Sequence, residues 1–306
     1  MFKIIQRRYW YFGLSLVIIL PGLIALGVWG LPLAIDFTGG TLLDIQFPAT
    51  TQPIDLAQVR AVYAANDAPE VSVQNSGTDR VIVRSEDLTQ EQQVGVIAGL
   101  EALYGPGTIQ SSETVGPSVG REVASRAAGA VGLAAAGILL YIWFAFRKVP
   151  HAFRYGVAAI IALIHDVLLV IGLTALAGRF LGWQVDSLFL TALLTVVGFS
   201  VHDTIVVFDR IRENMTVYRR LDYETVVNHS VVQTLDRSIN TQLTVMFTLL
   251  SLALFGGDTI RHFVVTLLVG IASGTYSSIF NAAAMLVVWE KKEWRTWFRR
   301  EEPVTA

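Results

Sequence analysis

The sequence has 306 residues, of which 53% are hydrophobic and only 16% are charged. A soluble domain carries about 25% charged residues, so this composition indicates an integral membrane protein and argues against a soluble enzyme. The chain contains no cysteine, which excludes a disulfide framework and a thiolate metal site.

Six apolar stretches are long enough to cross a membrane, since a spanning helix needs about 20 mostly apolar residues. They lie at about residues 11–31, 125–146, 155–177, 187–208, 239–256 and 262–289. The basic residues cluster at one set of helix ends, and the positive-inside rule therefore places both termini in the cytoplasm. The first stretch is too long for a signal peptide and no cleavage site follows it, so we expect an uncleaved anchor.

Between the first two spans lies a segment that is not membrane-like. Residues 36–113 contain 11 acidic and 3 basic side chains, whereas the rest of the chain contains 14 acidic and 20 basic ones. Strand and helix patterns alternate in the order β-α-β-β-α-β, with a hairpin around Gly77 and a helix stop at Gly105. This order matches the ferredoxin-like plan, and we predict an α+β extracytoplasmic domain of that fold.

The predicted organisation has four parts. The cytoplasmic N-terminus and first span occupy residues 1–35, the extracytoplasmic domain 36–119, a bundle of five further spans 120–290, and a cytoplasmic tail 291–306. Within the bundle, a cytoplasmic link at about 210–238 is amphipathic and is expected to form a helix along the membrane surface. The basic rim suits anionic lipid headgroups, so we expect membrane lipid as a partner.

Asp203 is the most informative residue, because it lies inside the apolar fourth span. A carboxylate within a spanning helix costs about 2.5–3.5 kcal/mol on insertion scales, and such a residue is a functional-site hypothesis by default. We predict that it takes up and releases a proton when its surroundings alternate between desolvation and a nearby arginine. The alternative is a buried Asp that hydroxyl groups satisfy purely for packing, with Ser200 one turn away on a similar face.

Arg237 is the predicted partner of Asp203, at the start of the fifth span. A stripe of hydroxyl side chains follows it on one helical face, formed by Thr241, Thr244, Thr248 and Ser251. The stripe indicates either a polar lining for protons or hydroxyl contacts between helices, and both interpretations stay open.

The third span carries a second intramembrane pair, His165 and Asp166, which echoes His202 and Asp203. Neighbouring helical residues point about 100° apart, so the two pairs are not expected to converge on one metal. We predict no metal and no cofactor, with Asp166 and His202 as further candidates for proton transport.

Small residues at helical spacing predict close helix packing. They are Gly129, Gly132 and Ala136 in the second span, and Gly270, Gly274 and Ser278 in the sixth, where Asn281 follows one turn later.

Several long motifs follow one another along the chain. They are IDFTGGT from Ile35, VGPSVGRE from Val115, HDVLLV in the third span, VVGFSVHDTIVVFDRIREN in the fourth, QTLDRSINTQLT from Gln233, and FGGDTIRHF with GTYSSIF beyond. In this order the motifs resemble those of the SecF family, membrane subunits of the bacterial protein-secretion machinery. The resemblance covers nearly the whole chain. Two positions depart from the usual pattern, since the family generally has Tyr at Phe199 and Asn at His202.

The resemblance implies that the chain is similar to one half of a resistance-nodulation-division transporter. It implies that the chain pairs with SecD in the bacterial inner membrane. It also implies that this complex acts beside the SecYEG channel after SecA has acted. The complex would use the proton-motive force to pull an unfolded polypeptide outward. The matching Asp203 and Arg237 would belong to the proton path, together with an Asp of SecD. No nucleic acid is expected as a partner, and the sequence does not decide between H⁺ and Na⁺.

The same resemblance implies structural hinges where the external domain meets its helices. Their residues are Asp36, Gly39, Gly40, Gly116, Pro117 and Gly120, and the glycines suit backbone bends that other residues resist.

Three other functions remain open from the sequence. The first is a proton-coupled exporter of lipids or small molecules from the same superfamily, and the second is a scaffold without ion coupling. The third is an intramembrane aspartyl protease using Asp166 and Asp203, which two carboxylates sharing a proton would permit. Such proteases are expected to show Gly-x-Gly-Asp, whereas this chain has Ser-Val-His-Asp, so we expect no enzymatic activity.

Overall fold

The computed structural model describes residues 2–48, 50, 53–68, 70–75, 77–147 and 151–295. Six helices in this part of the chain are long and apolar enough to cross a membrane. These spans are Ile5–Trp29, Pro117–Phe146, Ala152–Leu181, Ser187–Val217, Tyr223–Phe255 and Ile260–Glu290. All six predicted spans are present, so the chain is a polytopic helical membrane protein. Most extend further at their polar ends than predicted, because polar turns continue the helix beyond the apolar stretch.

The chain divides into two compact units. The first comprises Met1–Leu31, Val131–Trp183 and Leu188–Ala306, and the second comprises Pro32–Ala130 and Gln184–Ser187. The helices are α1 (Arg8–Trp29), α2 (Ile35–Thr38), α3 (Leu56–Ala65), α4 (Gln90–Tyr104), α5 (Pro117–Phe146), α6 (Ala152–Leu181), α7 (Ser187–Val217), α8 (Tyr223–Phe255), α9 (Asp258–Tyr276) and α10 (Ala283–Glu290). A π-helical turn, Ser277–Ala282, joins α9 to α10 within the last span.

The second unit contains a four-stranded antiparallel sheet with two helices between its strands. The strands are β1 (Gly40–Gln46), β2 (Glu70–Asn75), β3 (Arg80–Ser85) and β4 (Thr108–Val115), in the spatial order β2-β3-β1-β4. Helix α3 follows β1 and α4 follows β3, which is the predicted element order. Alternate residues of the central strands, such as Leu43 and Val83, face a core that α3 and α4 complete with Tyr63 and Leu100.

The first unit is a helical bundle in which α1 packs closely against α6. Gly22 and Gly172 face each other there, and a Cβ on Gly22 would lie 2.7 Å from the Cα of Gly172. The predicted glycine face of α9 packs in the same manner against α7. A Cβ on Gly270 would lie 2.2 Å from Val196, and one on Gly274 would lie 3.1 Å from the Cβ of Ser200. Small residues therefore let these backbones approach closely.

Two sequence expectations differ from the structure. Gly129 and Gly132 of α5 have no atom within 4 Å of an added Cβ among the residues described, so the predicted packing face of the second span is open. The link at about 210–238 is not a separate surface helix, because α7 continues to Val217 and α8 begins at Tyr223. Its apolar face lies against the bundle core, with Val227 and Val231 fully buried.

Candidate functional site

Asp203 lies in the buried interior of the bundle, on the face of α7 that meets α8. Its side chain is 3% exposed, and its Oδ2 atom accepts a hydrogen bond of 2.7 Å from Nε2 of Gln242 on α8. Thr275 on α9 lies beside the same carboxylate. Gln242 was not identified from the sequence. Its position one turn beyond Ser238 would have placed it on a polar face of α8.

The buried polar face of α8 differs from the predicted stripe. Four buried polar residues repeat at intervals of four along it: Ser230, Thr234, Ser238 and Gln242. Two of their atoms, Oγ of Ser238 and Oε1 of Gln242, are buried without a hydrogen-bond partner among the described residues. The face that meets Asp203 thus offers polar atoms free to bond a further group.

The predicted stripe itself faces outward in the isolated chain. Arg237, Thr241, Thr244 and Thr248 are all exposed. Each threonine hydroxyl donates to the carbonyl four residues earlier on its own helix, at 2.8–3.1 Å. Such bonds satisfy hydroxyl groups without a neighbour. Arg237 therefore lies at the head of an exposed polar face, while Gln242 supplies the hydrogen bond to Asp203.

Asp166 lies at the centre of a second polar cluster and is fully buried. Its Oδ1 atom accepts from His165 at 2.9 Å and from Ser273 at 2.7 Å. Its Oδ2 atom accepts from Ser200 at 2.6 Å and from Ser277 at 2.7 Å. The predicted lining residue Ser200 is thus a partner of Asp166, and the two carboxylates occupy separate hydrogen-bond environments.

His202 does not face either carboxylate cluster. It is exposed and lines a groove of about 410 Å³ between α5 and α7, together with Gly137, Tyr141 and Gly198. This placement follows from the 100° step between neighbours on a helix, since Asp203 faces inward.

A larger cavity of about 810 Å³ opens at the charged ends of α6, α7 and α10. Two ion pairs lie in its lining, with Arg212 2.6 Å from Asp209 and Arg154 bound to Glu290. None of the predicted site residues lines this cavity.

The predicted hinge residues lie together in the second unit. Gly39 and Gly40 have φ angles of +77° and +127°, which only glycine adopts readily. A Cβ on Gly39 would lie 2.8 Å from the Cα of Pro117, and one on Gly120 would lie 2.6 Å from the nitrogen of Gly39. The two glycine motifs are therefore in direct backbone contact.

Asp36 and Gly116 complete this region in different ways. Asp36 accepts hydrogen bonds from the backbone nitrogen and the hydroxyl of Ser187, at 2.9 and 2.6 Å. A carboxylate is favourable there because Ser187 begins α7, and a helix N-terminus attracts negative charge. Gly116 has open space around it and precedes Pro117, the first residue of α5.

The chain matches two family descriptions. Residues 97–292 match "Protein export membrane protein SecD/SecF, C-terminal", and residues 24–47 match "SecD/SecF GG Motif". The second match includes Gly39 and Gly40.

Relatives over the full length carry one name, "Protein translocase subunit SecF". The relative from Anaerolinea thermophila is 52% identical and covers 100% of both chains. The relative from Thermobaculum terrenum is 49% identical over 100% of this chain and 99% of its own.

The fold is also similar to the crystal structure of SecDF, a translocon-associated membrane protein from Thermus thermophilus. The TM-score is 0.82 at 33% identity over 95% of this chain, which spans 39% of that longer SecDF chain. A second SecDF structure, in a super-membrane-facing form, matches with a TM-score of 0.63 at 31% identity, over 96% of this chain and 39% of that one. From the family matches, the full-length relatives and the shared fold together, the chain belongs to the SecF family of protein translocase subunits, which serve protein export.

Proposed function

We propose that the chain couples the proton-motive force to late polypeptide translocation in the Sec pathway, with Asp203 as the proton carrier. The observation that carries this is the burial of Asp203 in a membrane helix beside Gln242, whose Oε1 atom is buried without a hydrogen-bond partner among the described residues. Oε1 of Gln242, and Oγ of Ser238 one turn earlier on α8, are acceptors that water or hydronium near the carboxylate could use. One charge that crosses 100 mV releases about 2.3 kcal/mol, so a few protons per cycle suffice to bias a domain movement.

SecD is the proposed partner within the membrane. Polar faces on spanning helices normally point toward protein or a water-filled cavity, because lipid does not satisfy them. The exposed face of α8 from Arg237 to Thr248 therefore suits a neighbouring polar helix. This chain spans 39% of the longer SecDF chain. The remaining part of such a chain is the proposed source of that neighbouring helix.

The proposed setting is the bacterial inner membrane, with both termini in the cytoplasm and the acidic domain outside. The strand order β2-β3-β1-β4 supports a ferredoxin-like assignment for that domain. SecYEG and SecA are the proposed neighbours, and the emerging unfolded polypeptide is the proposed substrate. Gly39 and Gly40 suit a hinge, since substitution there meets both strain and backbone atoms.

The chain is proposed to have no enzymatic activity. A protease with two carboxylates needs them to share a proton. Here Asp203 is bonded to Gln242, whereas Asp166 is bonded to one histidine and three serines. Membership of the SecF family likewise favours polypeptide export over export of lipids or small molecules.

Reconstituted export tests the proton role of Asp203. Vesicles would contain SecYEG, SecA, SecD and this chain, and export would be measured with and without a proton gradient. Asp203→Asn keeps the size and polarity of the side chain but cannot ionise, so it should abolish the stimulation by the gradient and leave the SecA-driven phase intact. Asp209→Asn, the same change at an exposed site on α7, is the matched control.

If Asp203→Asn responds to the gradient like wild type, Asp203 is structural and the proposal is wrong. Repeating the assay with a sodium gradient in place of the proton gradient identifies the ion. Stimulation by sodium alone would assign Na⁺ as the coupling ion.

A further inference from the structure

The last span contains a π-helical turn at Ser277–Ala282, and its polar side chains are directed into the bundle. Ser277, Ser278 and Asn281 are all buried. π-Helical turns are rare and occur mainly as single turns inside α-helices, often at functional sites. Because this backbone form is intrinsically unfavourable, contacts from elsewhere in the fold must stabilise it.

Both ends of the turn are connected to Asp166. Ser277 donates directly to Oδ2 of Asp166 at 2.7 Å. Asn281 donates from Nδ2 to Oγ of Ser15 on α1 at 2.8 Å, and Ser15 lies 3.0 Å from Nε2 of His165. Nδ1 of His165 is in turn 2.9 Å from Oδ1 of Asp166. Asp166 thus holds one end of the turn directly and the other end through His165 and Ser15.

The directions of these bonds are mutually consistent. Nδ2 of Asn281 is only a donor, so the Ser15 oxygen accepts and the Ser15 hydroxyl hydrogen is free to donate to Nε2 of His165. His165 then donates from Nδ1 to the carboxylate. The ring of His165 also stacks on Tyr276, with centroids 6.2 Å apart, next to the start of the turn.

The carboxylate of Asp166 is saturated, unlike that of Asp203. An ionised carboxylate has about four acceptor sites. Asp166 accepts from four side chains, which are His165, Ser200, Ser273 and Ser277. A proton that bound to Asp166 would have to displace one of these donors, so the arrangement suits a carboxylate that holds its neighbours in place.

The same cluster sets the position of α7 next to Asp203. Ser200 bonds Asp166, and its carbonyl accepts from Ser278 at 3.2 Å. Thr204 lies 2.8 Å from the Ser278 hydroxyl. Since Asp203 lies between Ser200 and Thr204 in the chain, the π-helical turn contacts α7 on both sides of the proposed proton carrier.

We infer that Asp166 is a positioning residue: its carboxylate holds the π-helical turn Ser277–Ala282 against α1, α6 and α7 and does not carry the transported proton. The division of roles rests on the proposed function, in which Asp203 carries the proton. The attachment of the turn to Asp166 is independent of that function.

Amide hydrogen exchange of the full chain tests the attachment. Asp166→Asn cannot accept all four donors, so exchange across residues 277–283 should rise by about tenfold, as expected for the loss of charge-assisted hydrogen bonds. Ser15→Ala removes the indirect connection and leaves the carboxylate of Asp166 in place, so it should give a smaller rise at the Asn281 end. Thr174→Val is the control, because Thr174 is buried on α6 and donates to its own helix at Val170.

Two results would overturn the attachment. One is unchanged exchange at residues 277–283 in both Asp166→Asn and Ser15→Ala. The other is a rise spread evenly over all six spans, which would show general destabilisation. If Asp166→Asn fails to assemble, hydrogen exchange in Ser15→Ala tests the attachment, since this variant leaves the carboxylate and its four donors in place.

Infrared spectroscopy of the same variants separates the two roles. The pH-dependent absorption of a protonated carboxyl should be retained in Asp166→Asn and lost in Asp203→Asn. Loss in Asp166→Asn with retention in Asp203→Asn would make Asp166 the carrier and overturn the inference. If both variants retain the absorption, the proposed function of Asp203 is contradicted. The attachment of the turn to Asp166 is still tested separately by the hydrogen-exchange measurement.

Discussion

At the scale of single residues, the two intramembrane aspartates differ in the side chains that donate hydrogen bonds to them. Asp203 and Asp166 are both buried aspartates on spanning helices. Asp203 accepts a hydrogen bond from Gln242, whereas Asp166 accepts from four side chains. The number of donors therefore distinguishes a carboxylate whose acceptor sites are filled from one with acceptor sites left for a further group.

The bond between Gln242 and Asp203 leads to a stability prediction. Gln242→Leu removes the donor and should lower the free energy of unfolding by about 1–3 kcal/mol, because a buried carboxyl group loses its hydrogen-bond partner. The double variant Gln242→Leu with Asp203→Leu should lose less than the sum of the single changes. Thermal unfolding in lipid nanodiscs measures both.

Thr244→Val is the control for this cycle, since Thr244 is exposed and bonds only its own helix at Asn240. It should change stability by less than about 0.5 kcal/mol. Strict additivity of Gln242→Leu and Asp203→Leu would show that the two side chains are not energetically coupled.

Glu293, outside the spans, gives a prediction for acidic pH. Burial raises the pKa of Glu293, but hydrogen bonds from Arg8 and Tyr9 outweigh it, so the pKa lies below its ordinary value of 4.5. Arg8 donates from Nε at 3.0 Å and Tyr9 from its hydroxyl at 2.6 Å. A carboxyl group with a depressed pKa stabilises the fold above pH 4.5, and this contribution is lost as the pH falls through the folded value.

The stability difference between wild type and Glu293→Gln should therefore be constant from neutral pH to about pH 5 and shrink below pH 4.5. Thermal unfolding at several pH values measures it, with Glu122→Gln as a control because Glu122 forms an exposed pair with Arg126. A difference that persists at pH 3 would mean that the Glu293 charge is not responsible.

At the scale of elements, close glycine contacts determine which helices pack directly. Gly22 on α1 and Gly172 on α6 allow two backbones to meet where a Cβ would overlap the opposite chain. Packing and interhelical hydrogen bonds drive association in a membrane, since lipid removes the hydrophobic difference between inside and outside. A pair of glycines thus accounts for the close approach of α1 and α6.

Gly22→Ala should lower the free energy of unfolding by about 1–3 kcal/mol, because the added methyl group meets rigid backbone atoms. Gly27→Ala, on the same helix, should be neutral or slightly stabilising, because no atom of the described residues lies within 4 Å of the added Cβ and alanine favours the helix. Thermal unfolding of both variants measures the contrast. Equal effects of the two substitutions would exclude steric overlap as the cause.

At the scale of the whole molecule, the two compact units have separate cores. The core of the second unit includes Leu43, Tyr63 and Leu100 and lies within residues 36–115. The core of the first unit includes Phe208, Val227 and Leu286. Among the described residues the two cores have separate members, so we expect the second unit to fold by itself.

Residues 36–115 expressed alone should therefore give a mixed α/β circular dichroism spectrum and a cooperative melt. Leu100→Ala in this fragment should reduce its stability by about 2–5 kcal/mol, as for a buried leucine. Leu103→Ala, at an exposed position of the same helix, is the matched control. An all-helical or unfolded spectrum would show that the sheet depends on the rest of the chain.

The sequence alone determined the spans, the element order of the second unit and the family, because each rests on local pattern. About 20 apolar residues predict a spanning helix whatever packs beside it. The hairpin of β2 and β3 followed from alternation around Gly77. Gly39 and Gly40 were identified through the resemblance to the family, and the structure then showed that both have positive φ angles, which favour glycine. The importance of Asp203 and Asp166 followed from the cost of burying a charge.

Only the tertiary structure decided what those charges contact. The donors of Asp166 come from α6, α7, α9 and the π-helical turn, and Gln242 reaches Asp203 from α8, so no spacing within one helix predicts them. The outward direction of Thr241, Thr244 and Thr248 also depends on how α8 is rotated in the bundle. Periodicity shows that residues share a face, but the rotation that packing selects determines whether that face meets another helix or the surroundings.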